Sequence, residues 1–201
     1  MKYISIGNAC PVKYNIDKYR GKSETLFFDW LMTSMNSIID ILGCDNIDNI
    51  LYFDNIIRDI NNPYKDENSR IIIKSLDFCV SIHDLPINYT DNDILGFIYK
   101  YKRRFNRIIE YIKSNEKICF IRNSYVSNSQ IDKFIETITK INPNCDFTLV
   151  VIHNSKENKA TFLNKKNLLY MYLNVDIPTI FDWTYEYLNW EKIFLDIENN
   201  I

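Results

Sequence analysis

The sequence predicts an α/β fold, a central, mostly parallel sheet flanked by helices, formed as a single domain over residues 1–201. Three observations predict it. A strand-like run from Lys117 to Arg122 is followed by a helical pattern from Ser127 to Ile141 and then by a second, almost wholly apolar strand from Phe147 to His153. Strands buried on both faces read as continuous apolar runs, and a helix between two of them is the βαβ unit of a parallel sheet. The N-terminus has the same grammar: the β-prone Tyr3-Ile4-Ser5-Ile6, the break Gly7-Asn8, and Pro11 at a position that suits a first helical turn. Finally, 201 residues of which 46% are hydrophobic can bury a core without disulfide staples.

The remaining elements follow in order. Val12, Ile16 and Tyr19 recur at helical spacing until Arg20-Gly21 breaks the pattern. The bulky run from Phe27 to Met32, continued by Met35, Ile38, Ile39 and Leu42 up to Gly43, predicts one buried helix. Asp45 to Asn68 is rich in Asn and Asp and predicts short helices or loops. Arg70–Lys74 and Phe78–His83 predict two β segments joined through Ser75-Leu76-Asp77. Thr90 or Asp91 caps a long helix whose apolar face runs from Ile94 through Phe97, Tyr101, Phe105 and Ile108 to Ile112, and whose other face carries Lys100, Lys102, Arg103, Arg104 and Arg107. After the second strand of the βαβ unit come a polar loop from Asn154 to Asn167, a strand from Leu168 to Leu173 and an aromatic helix from about Asp182 to Glu198.

Composition narrows the partners. A formal net charge of -2 argues against nucleic acid, because binders of phosphate backbones carry a surplus of Lys and Arg. No uncharged run of membrane-spanning length occurs and the first residues lack an apolar signal segment, so no membrane partner and a cytoplasmic location are expected. Cys10, Cys44, Cys79, Cys119 and Cys145 form an odd set without CxxC spacing, which predicts neither disulfides nor a structural metal, and no cofactor is expected. With only four glycines there is no Gly-rich phosphate loop, which leaves a nucleotide or sugar transferase as a minor alternative.

Parallel sheets place ligands at the C-terminal ends of their strands, and four reactive or charged groups lie at predicted ends: Cys10, His83, Arg122 and His153. Cys10 opens a helix, where unsatisfied N–H groups and the helix dipole favour a thiolate. The other cysteines read as small buried hydrophobes or, for Cys44, as a thiol with no base nearby. A nucleophile needs a base, and only His83 and His153 are available; His153 is the better candidate for an ordinary strand-end role. Asp29, set between Phe28 and Trp30, is the first candidate to orient the imidazole, and Asp84, beside His83, is the second. Asn8 is a candidate oxyanion donor, and Arg104 and Arg122 are candidates for an anionic substrate group, although Arg103, Arg104 and Arg107 also suit a solvated helix face.

These residues resemble a family of papain-like cysteine peptidases, domain-of-unknown-function family 1796. Ile4-Ser5-Ile6-Gly7-Asn8-Ala9-Cys10 is similar to its N-terminal S-[LI]-G-x-x-C, and Phe28-Asp29-Trp30 to its P-F-D-W, with Phe27 where the family tends to have Pro. His83-Asp84, Arg103-Arg104-Phe105 and Ile121-Arg122 complete the likeness over roughly residues 3 to 125. Similar sequences occur in bacteria and large DNA viruses. The resemblance implies a Cys10–His83 dyad helped by an acid or amide, acting on a peptide, isopeptide or other amide or thioester. It also implies a papain-like α+β fold as the alternative architecture. A non-catalytic interaction protein, in which Asp29 and Trp30 anchor a helix and Cys10 fills space, is the other functional class.

Overall fold

A computed structural model describes residues 1–59, 68–154, 159–163, 168–173 and 182–201. The chain forms β1 (Lys2–Ser5), α1 (Pro11–Arg20), β2 (Leu31–Thr33), α2 (Met35–Gly43), β3 (Ile56–Arg58), β4 (Asn68–Ile73), β5 (Cys79–Pro86) and α3 (Asp91–Lys113). It continues with β6 (Ile118–Arg122), α4 (Asn128–Ile141), β7 (Phe147–Asn154), β8 (Lys159–Leu163), β9 (Leu168–Leu173) and α5 (Trp190–Asn200). Two sheets result. One has the order β1-β6-β7-β9-β8, parallel except for the antiparallel edge strand β8; the other, antiparallel, has the order β2-β5-β4-β3. The fold is therefore α/β, built on a parallel sheet flanked by helices.

Alternation along β6 explains how both faces of the large sheet are covered. Cys119 and Ile121 point to one side, into a cluster with Val12 and Ile16 of α1 and Trp190, Ile193, Phe194 and Ile197 of α5. Ile118 and Phe120 point to the other, into a cluster with Ile131, Phe134 and Ile138 of α4. Phe120 meets Phe134 edge-on at 5.3 Å, a geometry that aromatic quadrupoles favour. Ser127 opens α4 and Thr90 opens α3 with reciprocal capping boxes, each worth about 1 kcal/mol.

Because α1 lies on one face and α4 on the other, the neighbouring strands β1 and β6 send their chains in opposite directions. Such a point leaves a crevice beyond the strand ends, where open α/β sheets bind ligands. The Gly7–Cys10 turn sits there under tight packing. A Cβ on Gly7 would come within 2.9 Å of Val12 Cγ2 and 3.1 Å of the Ala9 carbonyl oxygen.

Three expectations change. The run from Phe27 to Leu42 is not one helix: residues 27–30 form turns, β2 pairs with β5, and α2 starts at Met35 with Ser34 as its cap. Trp30 adopts φ 67°, a left-handed conformation that ends any helical path, and strand pairing then takes over. The expected polar loop after β7 contains β8, whose antiparallel pairing to β9 no local pattern announced, while residues 155–158 and 164–167 lie outside the described residues. The last helix starts at Trp190 rather than Asp182, because Asp182 accepts hydrogen bonds from Thr184 and Glu186 in turns and Asn189 provides the cap. Of the Asp45–Asn68 stretch, two short 3-10 turns and β3 are described, and residues 60–67 lie outside.

Candidate active site

Cys10 caps α1 with helical backbone angles, φ -56° and ψ -29°, and its carbonyl accepts the first helical bond, from Tyr14 N–H. The thiol is half-buried. Burial raises it above the ordinary cysteine value, and the charge of Asp84 pushes in the same direction against the help of its own backbone N–H. The expectation that helix position would make a resting thiolate is corrected accordingly: desolvation outweighs the helix end. Asn8 is exposed, and its backbone N–H donates to Asn123 Oδ1 at 3.1 Å, which ties the turn after β1 to the turn after β6.

Asp84 owes its position to an irregularity in the β4–β5 ladder. Ser81 faces Ile71 and Leu85 faces Ser69, so Ile82, His83 and Asp84 together stand against Arg70 alone. The bulge folds Asp84 back over Ser81, whose hydroxyl donates to Asp84 Oδ2. Tyr101 Oη donates to the same oxygen at 2.5 Å, and Lys100 Nζ reaches Oδ1 at 2.5 Å. Burial alone would raise this carboxyl, but the donors from Lys100, Ser81 and Tyr101 hold it below the usual carboxylate range.

His83, between Ile82 and Asp84 in the bulge, is exposed, and no hydrogen bond joins its side chain to Cys10 or Asp84 among the described residues. His153 lies at the end of β7, its ring centroid 5.8 Å from those of both Tyr125 and Tyr170, and burial lowers its pKa.

Asp29 is almost fully buried and belongs to a different group. Its Oδ2 accepts from Leu26 N–H at 2.8 Å and lies 3.6 Å from Lys13 Nζ, while Oδ1 has no partner. Burial pushes the carboxyl up to about 6, against the pull of Lys13 and the Leu26 N–H. Lys13 itself is buried and anchored to Asp17 at 2.9 Å and to Ser23 Oγ at 2.7 Å. The electrostatic neighbour of the thiol is Asp84, and Asp29 braces the turn before β2.

Arg104 stacks its guanidinium 4.9 Å over the Tyr101 ring, beside the Asp84 cluster. Arg122, at the end of β6, is buried and donates to the Ile6 and Thr33 carbonyls at 2.9 and 3.0 Å. It thereby clamps the end of β1 to the end of β2. Lys100 and Tyr101 were legible only as parts of a helix face; their distance along the chain from Asp84 hid the cluster. Ser81, three residues from Asp84, needed the bulge. Among the described residues no group of three or more His, Cys, Asp or Glu side chains is placed to hold a metal ion, and no helix is long and apolar enough to cross a membrane.

The family model described as "putative papain-like cysteine peptidase", domain of unknown function 1796, matches residues 1–157. The chain belongs to this family. The match takes in Cys10, Asp29, His83, Asp84, Arg104 and Arg122. The chain is also 24% identical to an uncharacterised protein of Acanthamoeba polyphaga mimivirus, over 96% of its own length and 97% of the relative's. No solved structure matches it. Membership in the papain-like family meets a scaffold with a parallel sheet at its centre, to which a smaller antiparallel sheet carrying His83 is added.

Proposed function

We propose that this family member is a cysteine-dependent hydrolase of amide or thioester bonds, with Cys10 as nucleophile, His83 as general base and Asp84 as the acid that stabilises the imidazolium. One observation carries the reading: Cys10, the one cysteine that opens a helix among the described residues, lies within electrostatic reach of the anchored carboxylate next to a histidine, in a chain that belongs to a peptidase-like family. The papain-like division of labour, Cys on a helix and His on an antiparallel sheet, is present in outline.

Since burial keeps the resting thiol protonated, the proton leaves in the attack itself. His83 takes it as Sγ bonds to the carbonyl carbon, and the oxyanion forms within reach of the Gly7–Cys10 turn. The Asn8 N–H is already committed to Asn123, so the Ala9 N–H is the stronger oxyanion donor. Collapse expels the amine or thiol leaving group with a proton from His83, and water releases the acyl group by the same path.

Hydrolysis of a panel of peptide, isopeptide and thioester substrates tests the proposal. The Cys10→Ala protein loses turnover completely and the His83→Ala protein by at least about 100-fold, as expected for a general base. Turnover that survives Cys10→Ala overturns the assignment. A protein that cleaves nothing in the panel, and whose Cys10 reacts with iodoacetamide no faster than Cys44, favours a non-catalytic interaction protein, for which the upward shift of the thiol already speaks.

A further inference from the structure

Beyond the end of β6, a cleft of about 640 Å³ opens between the turn after β1 and the starts of α2 and α4. Asn8 lines it, so the cleft adjoins the turn that carries the thiol, but Cys10 is not among its lining residues. The two helices present their N-terminal ends to it through Ser34 and Ser127. The Ser34 hydroxyl satisfies Ser37 N–H, and the Ser127 hydroxyl satisfies Gln130 N–H. The N–H groups of the first two residues of each helix have no partner among the described residues, and both macrodipoles put their positive ends here.

An independent observation concerns Arg122, which lines the same cleft and is only 3% exposed. It forms no ion pair among the described residues, and its Nε has no hydrogen-bond partner. A buried cation that meets only carbonyl dipoles is short of a counter-ion. The cleft itself does not supply that counter-ion: its other charged side chain is Lys133, again a cation, and no acidic side chain lines it, so the anion has to come from outside.

We propose that this cleft binds a small organic phosphate, with the phosphoryl group held between the starts of α2 and α4, Arg122 and Lys133, and the organic part against Phe78 and Tyr125. Donors arriving from two helices and a strand suit a tetrahedral dianion better than a planar carboxylate, and the volume suits a small molecule. The proposal does not rest on the thiol chemistry.

Phenyl phosphate, inorganic phosphate and benzoate serve as probes, read by thermal shift and by calorimetric titration of the whole chain. Phenyl phosphate binds and raises Tm, inorganic phosphate binds more weakly, and benzoate binds at least about tenfold more weakly than phenyl phosphate. Lys133→Glu weakens phenyl phosphate about tenfold or more. Lys133 is exposed, so this variant folds even if Arg122→Gln, which also frees two carbonyls, does not. Absence of phosphate binding, benzoate binding equal to phenyl phosphate, or unchanged affinity in Lys133→Glu each overturns the proposal.

Discussion

Asp84 and Asp29 are two shielded carboxylates with opposite fates. Asp84 has donors on both oxygens and is held below the usual range; Asp29 has one backbone N–H, a lysine at 3.6 Å and one bare oxygen, and is pushed up to about 6. Burial acts upward on both. What separates them is how many donors the surrounding elements bring, so the charge that acts on the thiol persists where a bulge and a helix converge, and the charge under the β2 turn is lost once pH falls below about 6.

The comparison breaks most strongly at Asp84. Asp84→Ala strands the Lys100 ammonium and the buried Tyr101 hydroxyl and costs about 3 kcal/mol at pH 7, measured by urea unfolding. Its pH dependence has the sign of a lowered pKa: the stability it gives is present above the unfolded carboxyl's value and is lost as pH falls through the folded one, so wild type loses more than Asp84→Ala on acidification below about pH 4.

Asp29 has the reverse sign. Its folded value is raised, so the associated stability is complete below the unfolded value and disappears as pH rises through about 6. Wild type then loses about 2 kcal/mol between pH 4 and pH 6 at this residue, and Asp29→Asn removes that slope. Equal slopes in the two proteins would show that Asp29 titrates normally. The smallest effect sharpens the contrast: Tyr101→Phe takes one of the donors from Asp84, costs about 1 kcal/mol, and moves the acid transition of stability toward higher pH.

Residues read locally were the ones the sequence disclosed well. Ser127 and Gln130 form a capping box three residues apart, and Ile131, Phe134 and Ile138 share one helix face, so α4 needs no distant partner to be recognised. Leu31–Thr33 is the opposite case. Its apolar density suits a helix or a strand, and pairing with Ser81, Val80 and Cys79 decides for the strand. Reading the stretch as one helix also concealed Ser34 as a helix start and with it one wall of the cleft.

Cys10, His83 and Asp84 were visible as reactive residue types at element ends, yet the relation among them was not. Asp84 turns toward Ser81, Lys100 and Tyr101 because of a register shift, a property of two strands at once. The charge state of Cys10 likewise depended on a balance that only packing sets, since a helix end and a desolvated position pull a thiol in opposite directions.

By itself the amino-acid order determined the parallel α/β scaffold, the caps of its long helices and the placement of a cysteine where a helix begins, because periodicity, turn chemistry and capping act over a few residues. Tertiary structure decided which carboxylate's charge acts on the thiol, that Arg122 is buried without a counter-charge, and that two helix starts meet in one cleft. Those outcomes join residues tens of positions apart, where burial and electrostatics depend on what the fold brings together.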